Sequence, residues 1–252
     1  MSSSAEGLQR ELEAYATGNG IDLFGVAELA PARDFITRFG GAFLGGFPRA
    51  IALAAKKADG VVERLPHRND PDEHRTIFLT YRAHSENLGE RLARVATDMV
   101  DIIERSRYQA FPVFRGKGHD KQLAGVMSQK IAPHLAGLGW IGKNCLVVNP
   151  NLGPRLALLT LLTDAPLTPG RPLEDGCGDC RLCVDICPAQ AFTGASFDPA
   201  QPREARYNAH LCEEYNLGQL KRLGIGNRFA PGHACGLCLY VCPYGKKGTA
   251  TG

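Results

Sequence analysis

Apolar positions follow two rhythms along this chain, one helical and one strand-like. Leu8, Leu12 and Tyr15 recur on one helical face. SSAEGL (3–8) opens that face, with Glu6 three residues after Ser3 as in a capping box, and GNG (18–20) should end it. IDLFGVA (21–27) predicts a first strand. PARDFITRF (31–39) predicts a short helix with Pro31 near its start. AIALAA (50–55) predicts a second, buried strand, although so short an apolar run also fits a buried helical segment. Residues 57–71 are polar and loop-like. From about Asp72 to Ser106 the apolar residues Leu88, Leu92, Val95, Met99, Ile102 and Ile103 keep near the 3.6 period, as in a long helix packed on a sheet. YQAFPVF (108–114) predicts a strand, and KQLAGVMSQKIAPHLAGL (121–138) a mostly helical stretch ending in a glycine-rich turn. NCLVVNP (144–150) and RLALLTLLT (155–163) predict paired strands joined by Asn-Leu-Gly-Pro. Strands mixed with helices place this first part among the α/β or α+β domains.

Composition adds a division. The chain has 252 residues, 44% apolar and 22% charged, ordinary globular values. Its nine cysteines are uneven: none precedes Cys145, and eight lie between Cys177 and Cys242. The step predicts a domain over 1–168 and a cysteine module over 169–252. The N-terminus shows no basic and apolar signal pattern and no twin arginine, and the longest apolar runs are far too short to span a bilayer. A cytoplasmic protein without a membrane partner is expected, and in that compartment disulfides are rare. The net charge of +3 gives no electrostatic argument for nucleic acid, which is not expected as a partner.

The cysteine spacing carries the chemistry. Cys177, Cys180, Cys183 and Cys187 stand as C-x2-C-x2-C-x3-C-P, the bacterial ferredoxin run, whose fourth cysteine ligates the other cluster. A second run is therefore implied. HACGLCLYVCPYG supplies Cys235, Cys238 and Cys242 before Pro243, one thiol short, and Cys212 is the remaining candidate in the module. Crossed ligation assigns Cys177, Cys180, Cys183 and Cys242 to one [4Fe-4S] cluster. Cys187, Cys212, Cys235 and Cys238 go to the other. Two four-thiol zinc sites also consume eight cysteines, but zinc ribbons favour paired CxxC knuckles. His210 and His233 flank ligands and are expected beside the clusters or at the surface. Cys145 is the spare thiol, either a small buried strand residue or a thiol near the redox relay.

GIDLFGVA, FPRAIALA, AGLGWIGKN and the two cysteine runs, in this order, resemble the epoxyqueuosine reductase family and its relatives the reductive dehalogenases. The resemblance covers nearly the whole chain. It implies a nitroreductase-like domain that binds cobalamin, followed by the double [4Fe-4S] module. It further implies that electrons pass from the clusters to the corrinoid for reductive chemistry on a substrate. The sequence departs from the family pattern in two places. An Asp-Ser-Ala-Pro-like segment that supplies the acid in epoxyqueuosine reductases is missing before GLGWIGK, with Asp120 merely nearby. The chain stops ten residues after Cys242, without a helical-repeat domain. Both departures are expected to move the substrate away from epoxyqueuosine in tRNA.

Under this resemblance Gly137, Gly139 and Gly142 open the backbone to a cofactor, the alternative being a helix cap and tight turn. Lys143 and Asn144 are candidates to bind corrin amides or the nucleotide tail, or are plain surface groups. A proton donor is needed beside the reacting centre. Lys130 and Ser128, in the segment feeding AGLGWIGKN, are the first candidates, with Tyr108, Asp120, His119 and His134 behind them. The expected function is an iron–sulfur, corrinoid-dependent reductase, supplied by a low-potential donor such as ferredoxin or flavodoxin. Its substrate would be a small molecule or modified nucleoside. The alternatives are a ferredoxin-type electron carrier or activator for a separate corrinoid protein, and a structural or RNA-binding module.

Overall fold

The structure is a computed structural model that describes residues 5–114, 123–224 and 235–246. The helices are α1 (Ala5–Gly18), α2 (Arg33–Gly45), α3 (Asp59–Val62), α4 (His74–Arg105), α5 (Ile131–Leu135), α6 (Leu182–Asp185), α7 (Ala209–Arg222) and α8 (Leu237–Tyr240). The strands are β1 (Leu23–Glu28), β2 (Arg49–Lys56), β3 (Ala110–Val113), β4 (Trp140–Ile141), β5 (Val147–Val148) and β6 (Leu156–Thr163). No helix among the described residues is long and apolar enough to cross a membrane.

Two compact units form. The first takes Met1–Lys56, Leu88–Trp140 and Leu156–Glu174; the second takes Lys57–Asn87, Ile141–Arg155 and Asp175–Gly252. Compactness therefore divides the chain differently from the composition step near residue 168. Two segments of the cysteine-poor part fold with the cysteines.

In the first unit a four-stranded sheet runs β1-β2-β6-β3, every pairing antiparallel. That places the unit on the α+β side of the expectation. Strand period two splits the apolar residues between two faces. Val26, Ile51, Leu53, Leu159 and Leu161 meet α1 and the later part of α4 through Leu8, Leu12, Leu92, Val95 and Met99. Ala27, Ala50, Ala52 and Leu162 meet Ile36, Leu44, Met127, Ala132 and Ala136 on the other face. β2 and β6 are central strands buried on both sides, so each reads as an apolar run without alternation.

Three expectations change. RLALLTLLT does not pair with NCLVVNP: β6 pairs with β2 and β3, while Val147–Val148 pairs with Trp140–Ile141. The apolar run inserts between two long-range partners, which a local hairpin reading misses. Among the described part of 121–138 the helix shrinks to Ile131–Leu135, where Pro133 removes a backbone donor and the N–H of Leu138 turns back to the Pro133 carbonyl at 2.9 Å. Within the polar stretch 57–71, α3 and a 3-10 turn at Leu65–His67 bury Val62 and Leu65.

In the second unit, Val62, Leu65, Ile77 and Tyr81 pack with Leu237 and Leu239 of α8. Arg155, 1% exposed, is paired with Asp59 at the start of α3 (3.0 Å) and with Glu63 just past its end (2.6 Å).

Candidate functional site

The eight clustered cysteines ride on short elements of the second unit. α6 is Leu-Cys-Val-Asp and α8 is Leu-Cys-Leu-Tyr; each is a single turn with cysteine second, and α6 packs against α8. Cys187 and Cys242 follow these turns and are each followed by proline, which stops the helix. Gly236 caps α8 at φ +72°, where a Cβ would come within 2.8 Å of Leu65 Cδ1 and 3.0 Å of the Tyr81 ring and hydroxyl. Cys212 sits in the first turn of α7, whose start is fixed by Asn208 Oδ1 accepting from the N–H groups of His210 (3.1 Å) and Leu211 (3.2 Å). His210 is exposed; His233 lies outside the described residues.

The thiols influence one another in two groups. Burial pushes Cys183 up to about 11, and the charges of Cys177 and Cys180 push the same way. Burial pushes Cys242 up to about 12 against an opposing backbone hydrogen bond at Tyr244, with Cys177, Cys183 and Cys180 adding to the rise. Cys212 is raised by burial and by Cys187. Burial raises Cys235, with Cys212 and Cys187 adding to it. Cys238 is pushed well up by burial first, then by Cys235, Cys212 and Cys187, and by Cys183 across the groups. Thiols gathered in this way resist ionisation until a metal takes their protons' place. Among the described residues no three His, Cys, Asp or Glu side chains are gathered as for a single metal ion. A cubane seats each thiolate on its own iron and so spreads its four ligands more widely. All nine cysteines are free of disulfides.

Hydrogen-bond donors are aimed at sulfur. The Tyr207 hydroxyl bonds to the Cys212 thiol and favours its charged form. Asn216 Nδ2 reaches Cys212 Sγ at 3.5 Å as well as its carbonyl at 2.7 Å. The N–H of Ala191 donates to Cys187 Sγ at 3.4 Å. Burial and the neighbouring Cys212 push the Tyr207 phenol strongly up, so it stays a donor; its ring stacks on Phe192 at 5.2 Å. Tyr207 and Asn216 are invisible as site residues in the sequence, because no spacing rule joins a tyrosine or an amide to a cluster. Thiol ligands with such donors fit an iron–sulfur group, whose charge they stabilise.

The glycine-rich motif has a definite place. Lys143 Nζ donates to the Gly178 carbonyl (2.5 Å), between Cys177 and Cys180, and Asn144 Nδ2 donates to the Cys238 carbonyl (3.1 Å). Both side chains are buried. A Cβ on Gly142 would meet Val148 at 2.9 Å and Cys177 Sγ at 3.4 Å. Gly137, φ +75°, lies against the Arg171 carbonyl, and buried Gly139 hydrogen-bonds His134 through its backbone. Gly137, Gly142, Lys143 and Asn144 are filled by the protein's own contacts, and Gly139 is buried. They do not fit a corrinoid cradle; Lys143 and Asn144 instead brace the two cysteine runs together. Cys145 is 3% exposed, as a small buried residue should be, but sits at φ +54° in a tight turn rather than in a strand.

The expected proton donors do not converge. Tyr108 packs on the sheet face shared with α1 and α4. Ser128 and Lys130 stand at the start of α5, on the opposite face, where the Lys130 N–H bonds to Ser128 Oγ at 3.4 Å. His134, half-buried, has its pKa lowered by burial against the opposing Gly139 hydrogen bond, so its imidazole is neutral at pH 7. Asp120 and His119 lie outside the described residues.

Residues 176–245 match the family described as 4Fe-4S double cluster binding domain. Epoxyqueuosine reductase from Bacillus anthracis is 29% identical over 262 aligned positions, covering 96% of this chain. The chain spans 65% of that relative's length. Among solved structures, a reductive dehalogenase described for B12-dependent dehalogenation superposes at a TM-score of 0.68 with 20% identity, over 99% of this chain and 33% of that one. An epoxyqueuosine reductase solved with an epoxyqueuosine-modified tRNA-Tyr stem loop superposes at 0.59 with 21% identity, over 97% and 67%. At those identities the two structures speak for the fold. The chain is therefore similar to epoxyqueuosine reductases along nearly its whole length, and its residues 176–245 match a 4Fe-4S double-cluster domain.

Proposed function

We propose that the chain is an iron–sulfur reductase whose second unit relays electrons through two [4Fe-4S] clusters. The observation that supports this is the division of eight thiols into Cys177, Cys180, Cys183, Cys242 and Cys187, Cys212, Cys235, Cys238. When bound, each cluster takes up and releases one electron at a time. The protein's own groups prepare for that charge. Tyr207 and Asn216 donate to Cys212, and Ala191 donates to Cys187, which favours the anionic sulfurs. Tyr244, two residues past Cys242, donates from its hydroxyl to the Gly176 carbonyl (2.9 Å), tying the last cysteine to the first three. Lys143 and Asn144 hold both runs in register.

The acceptor we propose is a corrinoid, on the likeness to the reductases alone and at a place other than Gly137 to Asn144. The tRNA stem loop carried by one neighbour makes a modified nucleoside in RNA a substrate class to test, reopening the partner that the mild net charge set aside. A second reading, an electron carrier serving a separate corrinoid protein, is favoured by the self-filled AGLGWIGKN positions. Anaerobic reconstitution followed by iron and sulfide analysis tests the relay: two clusters per chain are expected, and a zinc-loaded, iron-free chain of equal stability sinks it. Titration of the reconstituted chain with cobalamin separates the readings. A stoichiometric complex with a base-off spectrum supports the reductase, and no complex supports the carrier.

A further inference from the structure

Among the described residues every buried charged side chain is a cation: Lys57, Arg68, Arg82, Lys143, Arg155 and Arg206. All of them stand in the second unit. Arg155 is answered by Asp59 and Glu63, and Arg82 by Glu86. Arg68, Lys143 and Arg206 have no ion pair among the described residues; Lys143 meets a carbonyl and Arg206 an aromatic ring. A buried cation facing only neutral groups is unfavourable unless an opposite charge is supplied. Besides its carboxylates, this unit can supply thiolates, and a cubane with four of them is negative and becomes more so on reduction.

Arg68 is placed to act on one cluster. Its Nη2 donates to the Tyr215 hydroxyl at 3.1 Å, and its guanidinium lies 6.0 Å from that ring. Tyr215 is one turn after Cys212 on α7. One turn before Arg68, Leu65 packs beside Cys235 and against the Gly236 position. Arg68 thus stands between the helix that carries Cys212 and the turn that carries Cys235. Its Nε is buried without a hydrogen-bond partner among the described residues.

We propose that the buried guanidinium of Arg68 is a built-in counter-charge that raises the reduction potential of the cluster held by Cys187, Cys212, Cys235 and Cys238 relative to the other. It is a positioning residue acting through its field, not a catalytic one. The proposal rests on the two-cluster reading above. Removing the charge disfavours the more negative, reduced form, so the potential must fall.

The test is a potentiometric titration of the anaerobically reconstituted chain followed by electron paramagnetic resonance. Arg68→Met should lower one of two midpoint potentials by at least tenfold in the reduction equilibrium, about 59 mV for one electron. The other midpoint should stay put. Arg68→Lys should restore most of the shift, and Arg64→Gln, an exposed arginine on the same segment, should move neither. No shift in Arg68→Met, equal shifts in both clusters, or equal effects of methionine and lysine would each overturn the proposal. If Arg68→Met assembles a single cluster, Arg68→Gln is compared with Arg68→Lys. If none of these variants holds two clusters the role is architectural and the proposal fails. A wild-type chain without two clusters would instead remove the reductase reading.

Discussion

Gly153 is a residue whose replacement should cost one cluster and spare the other. It lies at φ +61°, and a Cβ there would stand 1.9 Å from the Tyr244 carbonyl oxygen. Alanine in the left-handed region costs about 1–2 kcal/mol by itself. Relief of the overlap needs the two backbones to part by about 1.5 Å, from 1.9 to the 3.4 Å of ordinary contact. The segment that must yield holds Cys242, Pro243 and Tyr244, so both the Cys242 thiol and the Tyr244 hydroxyl bond to Gly176 are displaced. About 2 kcal/mol corresponds to a roughly 30-fold loss in the population with Cys242 in place. Gly153→Ala should therefore release one cluster's iron to a chelator at least tenfold faster than wild type, in a biphasic time course whose other phase is unchanged. Iron release followed by absorbance under anaerobic conditions measures this. A Gly153→Ala chain that releases iron as slowly as wild type, or loses both clusters together, refutes the link from this turn to a single cluster.

Cys212→Ala should leave the cluster of Cys177, Cys180, Cys183 and Cys242 in place and abolish the other, read as half the wild-type iron. Leu161, fully buried in the central strand β6, should cost about 2–5 kcal/mol when changed to alanine, seen as a lower denaturant midpoint. The His134 pKa lies below its ordinary 6.5, so the folded state favours the neutral ring. The stability it contributes is full above pH 6.5 and is lost as pH falls from there through the lowered folded value. Denaturation between pH 7 and 5 should therefore show a shallower loss in His134→Gln than in wild type.

The long helix and the apolar strands were legible because their periodicity is intrinsic: Leu88 to Ile103 fall inside α4, and AIALAA inside β2. The partners of RLALLTLLT were not legible, since pairing with residues about fifty and about a hundred positions away leaves no local trace. At the site, the cysteine spacing pointed to two fourfold sets, because tight loops converge on one cube only at particular intervals. The roles of Lys143 and Asn144 were not legible. Their partners are the Gly178 and Cys238 backbone carbonyls, and a carbonyl has no residue identity to read. Arg68 and Tyr207 stayed hidden for a related reason: a stretch that looks like a polar loop gives no sign that its guanidinium is 7% exposed.

The interleaving of the two units has a consequence for biosynthesis. Residues 57–87 leave the ribosome long before α8, yet Leu65, Ile77 and Tyr81 find their apolar partners in Leu237 and Leu239. Until those arrive, that early segment presents an uncovered apolar face, the kind of surface that chaperones hold and aggregates form on. On the proposed ligation, insertion of the cluster that uses Cys242 is likewise postponed until that residue has been translated. Nor is the cysteine module a cassette. A fragment starting at Asp175 would carry all eight clustered thiols and leave behind Lys143, Asn144 and Arg68. Grafting it onto another protein should give a chain that loads iron poorly, unlike a ferredoxin, which travels as one continuous stretch.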